Sequence, residues 1–171
     1  MALAIVEEYY TVKDYEHWEG DWELIKGRPY AIAPAPFNKH QWIAGKLAFL
    51  LNLKFRKCNK CFVLVEAEYR ISEDTILRPD VSVICGKLEK YITKAPLIIF
   101  EIIFPSTRLR DEITKKKIYK INKVPFYVLV YPDEKVVILD LKKEKELNEV
   151  TLNTPCGDIE ITKEEILEEI M

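Results

Sequence analysis

The longest regular pattern in the chain lies at residues 38–55, where Ile43, Leu47, Leu50, Leu51 and Phe55 recur at helical spacing and predict a helix. Beyond it the period changes to two. In residues 62–71, Val63, Val65, Ala67, Tyr69 and Ile71 share one face, and Phe62, Leu64, Glu66, Glu68 and Arg70 the other, which predicts one continuous strand. A turn at Ser72-Glu-Asp-Thr75 leads into a second predicted strand, residues 77–85, containing Pro79-Asp80. Residues 97–104 are apolar except for Glu101, as expected of a strand buried on both faces. Ahead of the long helix, Thr11-Val-Lys-Asp14 opens a short helical turn that Gly20 closes. Residues 22–25 and 28–32 then read as strands around Lys26-Gly27, and Pro34-Ala-Pro36 stops their pairing. After Glu101 come a basic helix over residues 110–122, two strands around Pro132-Asp-Glu134, a short hairpin, and a final helix opened by the capping box Thr162-Lys-Glu-Glu165. These elements predict an α/β (α+β) fold in which a mixed sheet is flanked by helices.

With 171 residues, 49% of them apolar, the chain suits one domain (residues 1–171), with a core at 11–141 and a terminal hairpin and helix at 142–171. No apolar run approaches a membrane span, and the start lacks the basic flank of a signal peptide, so a soluble cytoplasmic protein is expected. The near balance of 26 basic and 28 acidic residues hides a segregation: residues 1–132 carry 21 against 16, residues 133–171 carry 5 against 12. A basic body with an acidic end permits a polyanionic partner without requiring one. Of the four cysteines, Cys58 and Cys61 have zinc-knuckle spacing, but no second ligand pair exists; free thiols at a helix-to-strand junction are the simpler expectation. The Lys/Glu/Ile-rich usage with a single Gln hints at a hyperthermophile, where an intracellular disulfide would be less odd.

Glu101 is the most informative residue. A carboxylate inside an apolar run costs several kcal/mol to bury unpaired, so it must be protonated, ion-paired or metal-bound. Asp80, on another predicted strand, offers a second carboxylate; two such groups repel unless a cation intervenes, so if they face each other Asp80→Asn would leave the metal-free protein as stable or more so. Mg²⁺ commonly uses one or two carboxylates plus phosphate oxygens. Glu68, on the polar face of its strand, is either a third oxygen donor or a solvated side chain. Ser106 and Thr107 are expected to cap the helix that follows Glu101.

Taken in order, Trp22-Glu-Leu-Ile-Lys-Gly27, His40, Arg78-Pro-Asp-Val81, Glu101-Ile-Ile-Phe-Pro-Ser-Thr107, the four-residue steps Asp111, Lys115, Tyr119, and Val124-Pro-Phe-Tyr-Val-Leu-Val-Tyr-Pro-Asp133 resemble the Uma2 family (DUF820) of restriction-endonuclease-like proteins. The resemblance runs from about residue 11 to 141. It implies a PD-(D/E)xK nuclease fold with metal ligands on adjacent strands. Asp80 would match the motif's aspartate, Glu101 its second acid, and Lys115 the family's helix lysine, since position 103 is Ile where the orthodox motif has lysine. Glu23 and His40 match the family's other recurring polar positions. From the residues alone, Glu23 is a metal ligand or a partner of Arg28, and His40 touches water or phosphate or packs under Pro34 and Pro36.

The expected activity is Mg²⁺- or Mn²⁺-dependent hydrolysis of DNA phosphodiesters without an organic cofactor. Asp80, Glu101 and Glu68 would hold metal, and Lys115 would position or activate water. Seven basic residues against two acids lie between Arg108 and Lys123; Arg108, Arg110, Lys116 and Lys117 are the candidates for gripping DNA phosphates. The alternative is a non-catalytic nucleic-acid-binding or scaffold module retaining the fold. A homodimer is expected with either, through Ile166, Leu167 and Ile170 of the last helix.

Overall fold

The computed structural model describes residues 7–32 and 38–171; the stop expected at Pro34-Ala-Pro36 lies outside them. Thr11 and Asp14 close a capping box on α1 (Val12–Tyr15). β1 (Trp22–Ile25) and β2 (Arg28–Ala31) form an antiparallel hairpin whose two turn residues both have positive φ, Lys26 at 48° and Gly27 at 78°. That is the turn geometry whose twist matches the flanking strands. The helix read from the apolar stripe is α2 (Asn38–Phe55), which buries Ile43, Ala44, Leu47, Leu51 and Phe55.

The single strand expected over residues 62–71 is two strands. β3 (Cys61–Val65) ends at Glu66, which takes a positive φ of 53°, and β4 (Tyr69–Ser72) belongs to a different sheet. The strand expected over 77–85 divides in the same way: β5 (Thr75–Leu77) pairs with β4 and β1, Pro79 lacks a ladder donor, and β6 (Val81–Cys85) joins β3. Both crossings occur side by side, tied by the Glu66 amide donating to the Asp80 carbonyl.

β7 (Ile98–Ile102) pairs antiparallel with β6 and parallel with β8 (Phe126–Tyr131). Between β7 and β8 the chain crosses over through a π-helical stretch, Arg110–Lys115, that continues as α3 (Lys116–Ile121). β9 (Lys135–Asp140) and β10 (Lys145–Leu147) complete a six-stranded mixed sheet in the order β10-β9-β8-β7-β6-β3. The first four-stranded sheet has the order β2-β1-β5-β4. The hairpin β11 (Glu149–Thr154) and β12 (Gly157–Thr162) leads into α4 (Lys163–Ile170), whose capping box is formed as expected.

The six-stranded sheet has a core on each face. On one, α2, α4 and the hairpin cover Ile98, Phe100, Ile102, Val128 and Ile138. On the other, Ile99, Ile103, Tyr119, Tyr127 and Leu129 pack together with Ile25 and Leu77 of the smaller sheet. Because β7 alternates, Glu101 projects toward this second side, between Ile99 and Ile103.

Two expectations are corrected by packing. Ile166 and Ile170 are buried in the main core, so the last helix spends its apolar stripe inside its own chain. All four cysteines are paired: Cys58 with Cys156, and Cys61 with Cys85, its cross-strand neighbour on β6. Neither free thiols nor a zinc knuckle remains. Among the described residues, no helix is long and apolar enough to cross a membrane.

Candidate active site

The two strand breaks and the crossover helix converge on one cleft of about 350 Å³, lined by Glu23, His40, Asp80, Glu101, Asp111 and Lys115, with Glu66, Arg78 and Arg110 nearer its mouth. Asp80 stands at the head of β6, just past the proline, beside the end of β7. Its Oδ2 accepts from the Ile102 amide at 2.7 Å, and its Oδ1 lies 3.1 Å from His40 Nε2. The Asp80 amide in turn reaches Glu101 Oε2 at 3.4 Å.

Lys115 is buried and sits at the centre of three carboxylates. Its Nζ lies 2.9 Å from Glu23, 3.2 Å from Glu101 and 3.3 Å from Asp111. Tyr119 donates to Glu101 at 3.0 Å, and Tyr127 donates to the Asp111 carbonyl at 2.8 Å. Glu23 also accepts from the Arg78 amide at 2.9 Å. The wider winding of the π-helical turn lies where Asp111 and Lys115 both face the sheet, a place such turns often occupy at functional sites.

Four buried or nearly buried carboxylates thus face one lysine and one histidine. Burial, with the charges of Asp80, Asp111 and Glu23, pushes the Glu101 carboxyl well above its ordinary value, against the pull of Lys115. Asp111 is raised chiefly by burial. Burial works against the Lys115 ammonium, but its three acidic neighbours overcome it and hold Lys115 charged well above 10.5. Burial would raise Asp80 too; the hydrogen bond and charge of His40, the Ile102 amide and Lys115 instead hold it below the usual carboxylate range. His40 is raised mainly by its hydrogen bond to Asp80. His40 thus stabilises the Asp80 carboxylate, while the repulsion expected between Asp80 and Glu101 is felt at Glu101, where the Asp80 charge helps to raise the carboxyl.

The sequence expectations sort cleanly against this geometry. Asp80, Glu101, Lys115, His40 and Glu23 come together in the cleft; Glu23 binds Lys115, while Arg28 lies near Glu7. Glu68 does not join them: its carboxylate is taken by Tyr15 and Arg70, because the break at Glu66 carries it away with the smaller sheet. Ser106 and Thr107 line the cleft, and Thr107 Oγ1 bonds back to the Phe104 carbonyl. Arg110 lines the cleft with its guanidinium over the Tyr30 ring at 4.2 Å. Arg108 is exposed and paired with Glu112; Lys116 and Lys117 are exposed, and Lys116 lines a separate, smaller pocket. Asp111 and Tyr119, four residues to either side of Lys115, also join the cluster, and that spacing is the signal the sequence holds for them.

Among the described residues no three acidic, histidine or cysteine side chains form a ready-made metal cage. The donor set nevertheless fits a hard divalent cation. It is all oxygen, its buried negative charge exceeds the cations present, and Mg²⁺ is commonly held by only one or two carboxylates with phosphate and water completing its shell.

The chain matches the profile of the Uma2 family, described as "Putative restriction endonuclease", over residues 6–163. Its fold matches a crystal structure of "a putative nuclease belonging to DUF820" from Anabaena variabilis ATCC 29413, with a TM-score of 0.75 at 16% identity, covering 94% of this chain and 99% of that one. No curated protein matches the chain.

Proposed function

The chain belongs to the Uma2 family, and from that premise we propose that it is a divalent-metal-dependent endonuclease hydrolysing DNA phosphodiesters in the Asp80–Glu101–Lys115 cleft. One observation carries this reading: the helix lysine reaches Glu101 at 3.2 Å in the cleft that Asp80 also enters. Asp80 and Glu101 would hold Mg²⁺ or Mn²⁺. Such a cation, when bound, supplies Lewis acidity to the phosphoryl group and eases deprotonation of the attacking water.

The remaining work falls to the chain. Hydrolysis forms a bond from water oxygen to phosphorus as a P–O ester bond breaks, and negative charge grows on the phosphoryl oxygens. Lys115, charged and with its three N–H groups held by three carboxylates, offsets that charge; with its pKa raised it is no general base. His40 fixes Asp80, and Tyr119 fixes Glu101, so that both carboxylates keep one orientation. Arg110, over Tyr30 at the mouth, takes a neighbouring backbone phosphate.

The test is nicking of supercoiled plasmid by purified protein in Mn²⁺ or Mg²⁺, against EDTA and Lys115→Ala. Metal-dependent nicking reduced at least about a hundredfold in the variant is expected. Inert wild-type protein on supercoiled, linear and single-stranded DNA would overturn the reading, as would nicking that survives Lys115→Ala.

A further inference from the structure

Helix α2 has apolar residues on two sides. Its inner stripe is spent in the core, yet its outer face exposes Trp42, Phe49 and Leu53, at 45%, 55% and 46%. A helix apolar on both sides is ordinarily covered on both. Between Trp42 and Phe49, one turn from each, stands Gly45 in the helix interior, where glycine is unfavourable relative to alanine. A Cβ built there meets nothing within 4 Å, so nothing in this chain's own packing requires the glycine. Glycine at an exposed helical position, flanked by large apolar residues, is what close approach by another backbone would select.

The charges on the same face indicate which partner. α2 carries no acid; Lys39 in its first turn and Arg56 and Lys57 just past its end are exposed. Next to it lies α4, joined through Lys46–Glu169 and Lys54–Glu165, with Glu164 and Glu168 exposed. With a basic helix beside an acidic one, an oblique two-fold crossing of α2 on its mate carries one basic end of each α2 over the acidic α4 of the other copy. We infer that a second copy of this chain docks here: α2 crosses its mate at Gly45, with Trp42 and Leu53 packing around Phe49. This places the interface on the outer face of α2, one residue from the cleft-lining Gln41. It is independent of the reading of the cleft as a nuclease.

Sedimentation across a wide protein concentration range tests the assignment, on the full chain with Phe49→Lys and Gly45→Ala. Wild type should be a dimer whose Kd rises with salt. Phe49→Lys should raise that Kd at least a hundredfold at an unchanged melting temperature of the monomer, because the side chain is exposed. Gly45→Ala should raise it at least tenfold while the isolated fold becomes no less stable, a combination that damage to the fold does not produce. A wild type that stays monomeric at every concentration would overturn the inference, including the case in which the face binds some other protein. So would a dimer indifferent to both substitutions.

Discussion

Glu23, Glu101 and Asp111 are each within 3.3 Å of the Lys115 ammonium, and one positive charge cannot balance three. In the absence of a cation the cluster must therefore hold protons, and Glu101 is where burial and like charge raise the pKa most plainly. A carboxyl whose folded pKa is raised favours the folded state at low pH and loses that contribution as pH climbs from its ordinary value of 4.5 through the folded one. In EDTA, wild-type melting temperature should thus fall as pH rises above the ordinary 4.5, and Glu101→Gln should flatten the decline and exceed wild type at the alkaline end. Thermal melts at rising pH check this; a variant that loses stability at high pH would show that Glu101 is ionised and needed as the partner of Lys115. Asp80 has the opposite sign. Its lowered pKa contributes stability above the ordinary carboxylate range that is lost as pH falls through the folded value.

At the scale of elements, the helices were more legible than the strands. The 3.6-residue stripe of 38–55 marks α2 to the residue, since nothing interrupts it. In residues 62–71 the alternation also runs unbroken, but the backbone turns at Glu66, a non-glycine in the left-handed region, and periodicity carries no mark of that. The cost fell on the site: the acid brought to the cleft mouth is Glu66, while Glu68 is spent on Tyr15 and Arg70. Glu101 was legible because a lone charge in an apolar run demands a partner. Asp111 was not, because an acid at a helix start has a simpler use there. Cysteine pairing depends on distances between elements that no spacing along the chain reveals. The Cys58–Cys156 bond, spanning 98 residues, ties the end of α2 to the turn of the last hairpin, whereas Cys61–Cys85 spans 24 and joins strands already paired. Loop-closure entropy then makes Cys156→Ser more destabilising than Cys85→Ser by about 1 kcal/mol. Denaturant melts of the two variants measure this, and the reverse order would place the gain in local packing of the bridges.

For the molecule as a whole, a buried surplus of carboxyl groups over cationic ones is set at the junction of two sheets and a crossover helix. The fold positions it rigidly: Asp80 by a proline break, Glu101 by a strand buried throughout, and Lys115 by a helix that winds more widely just there. Under the proposed reading, a divalent cation is the counterweight to that surplus. The most direct test is a calorimetric titration of Mn²⁺ into the metal-free protein near neutral pH, repeated in buffers of different ionisation enthalpy. One ion per chain should bind with release of protons from the carboxylate cluster, and binding should be lost in Asp80→Asn. No binding to the wild type, or binding indifferent to Asp80→Asn, would contradict a metal site in this cleft.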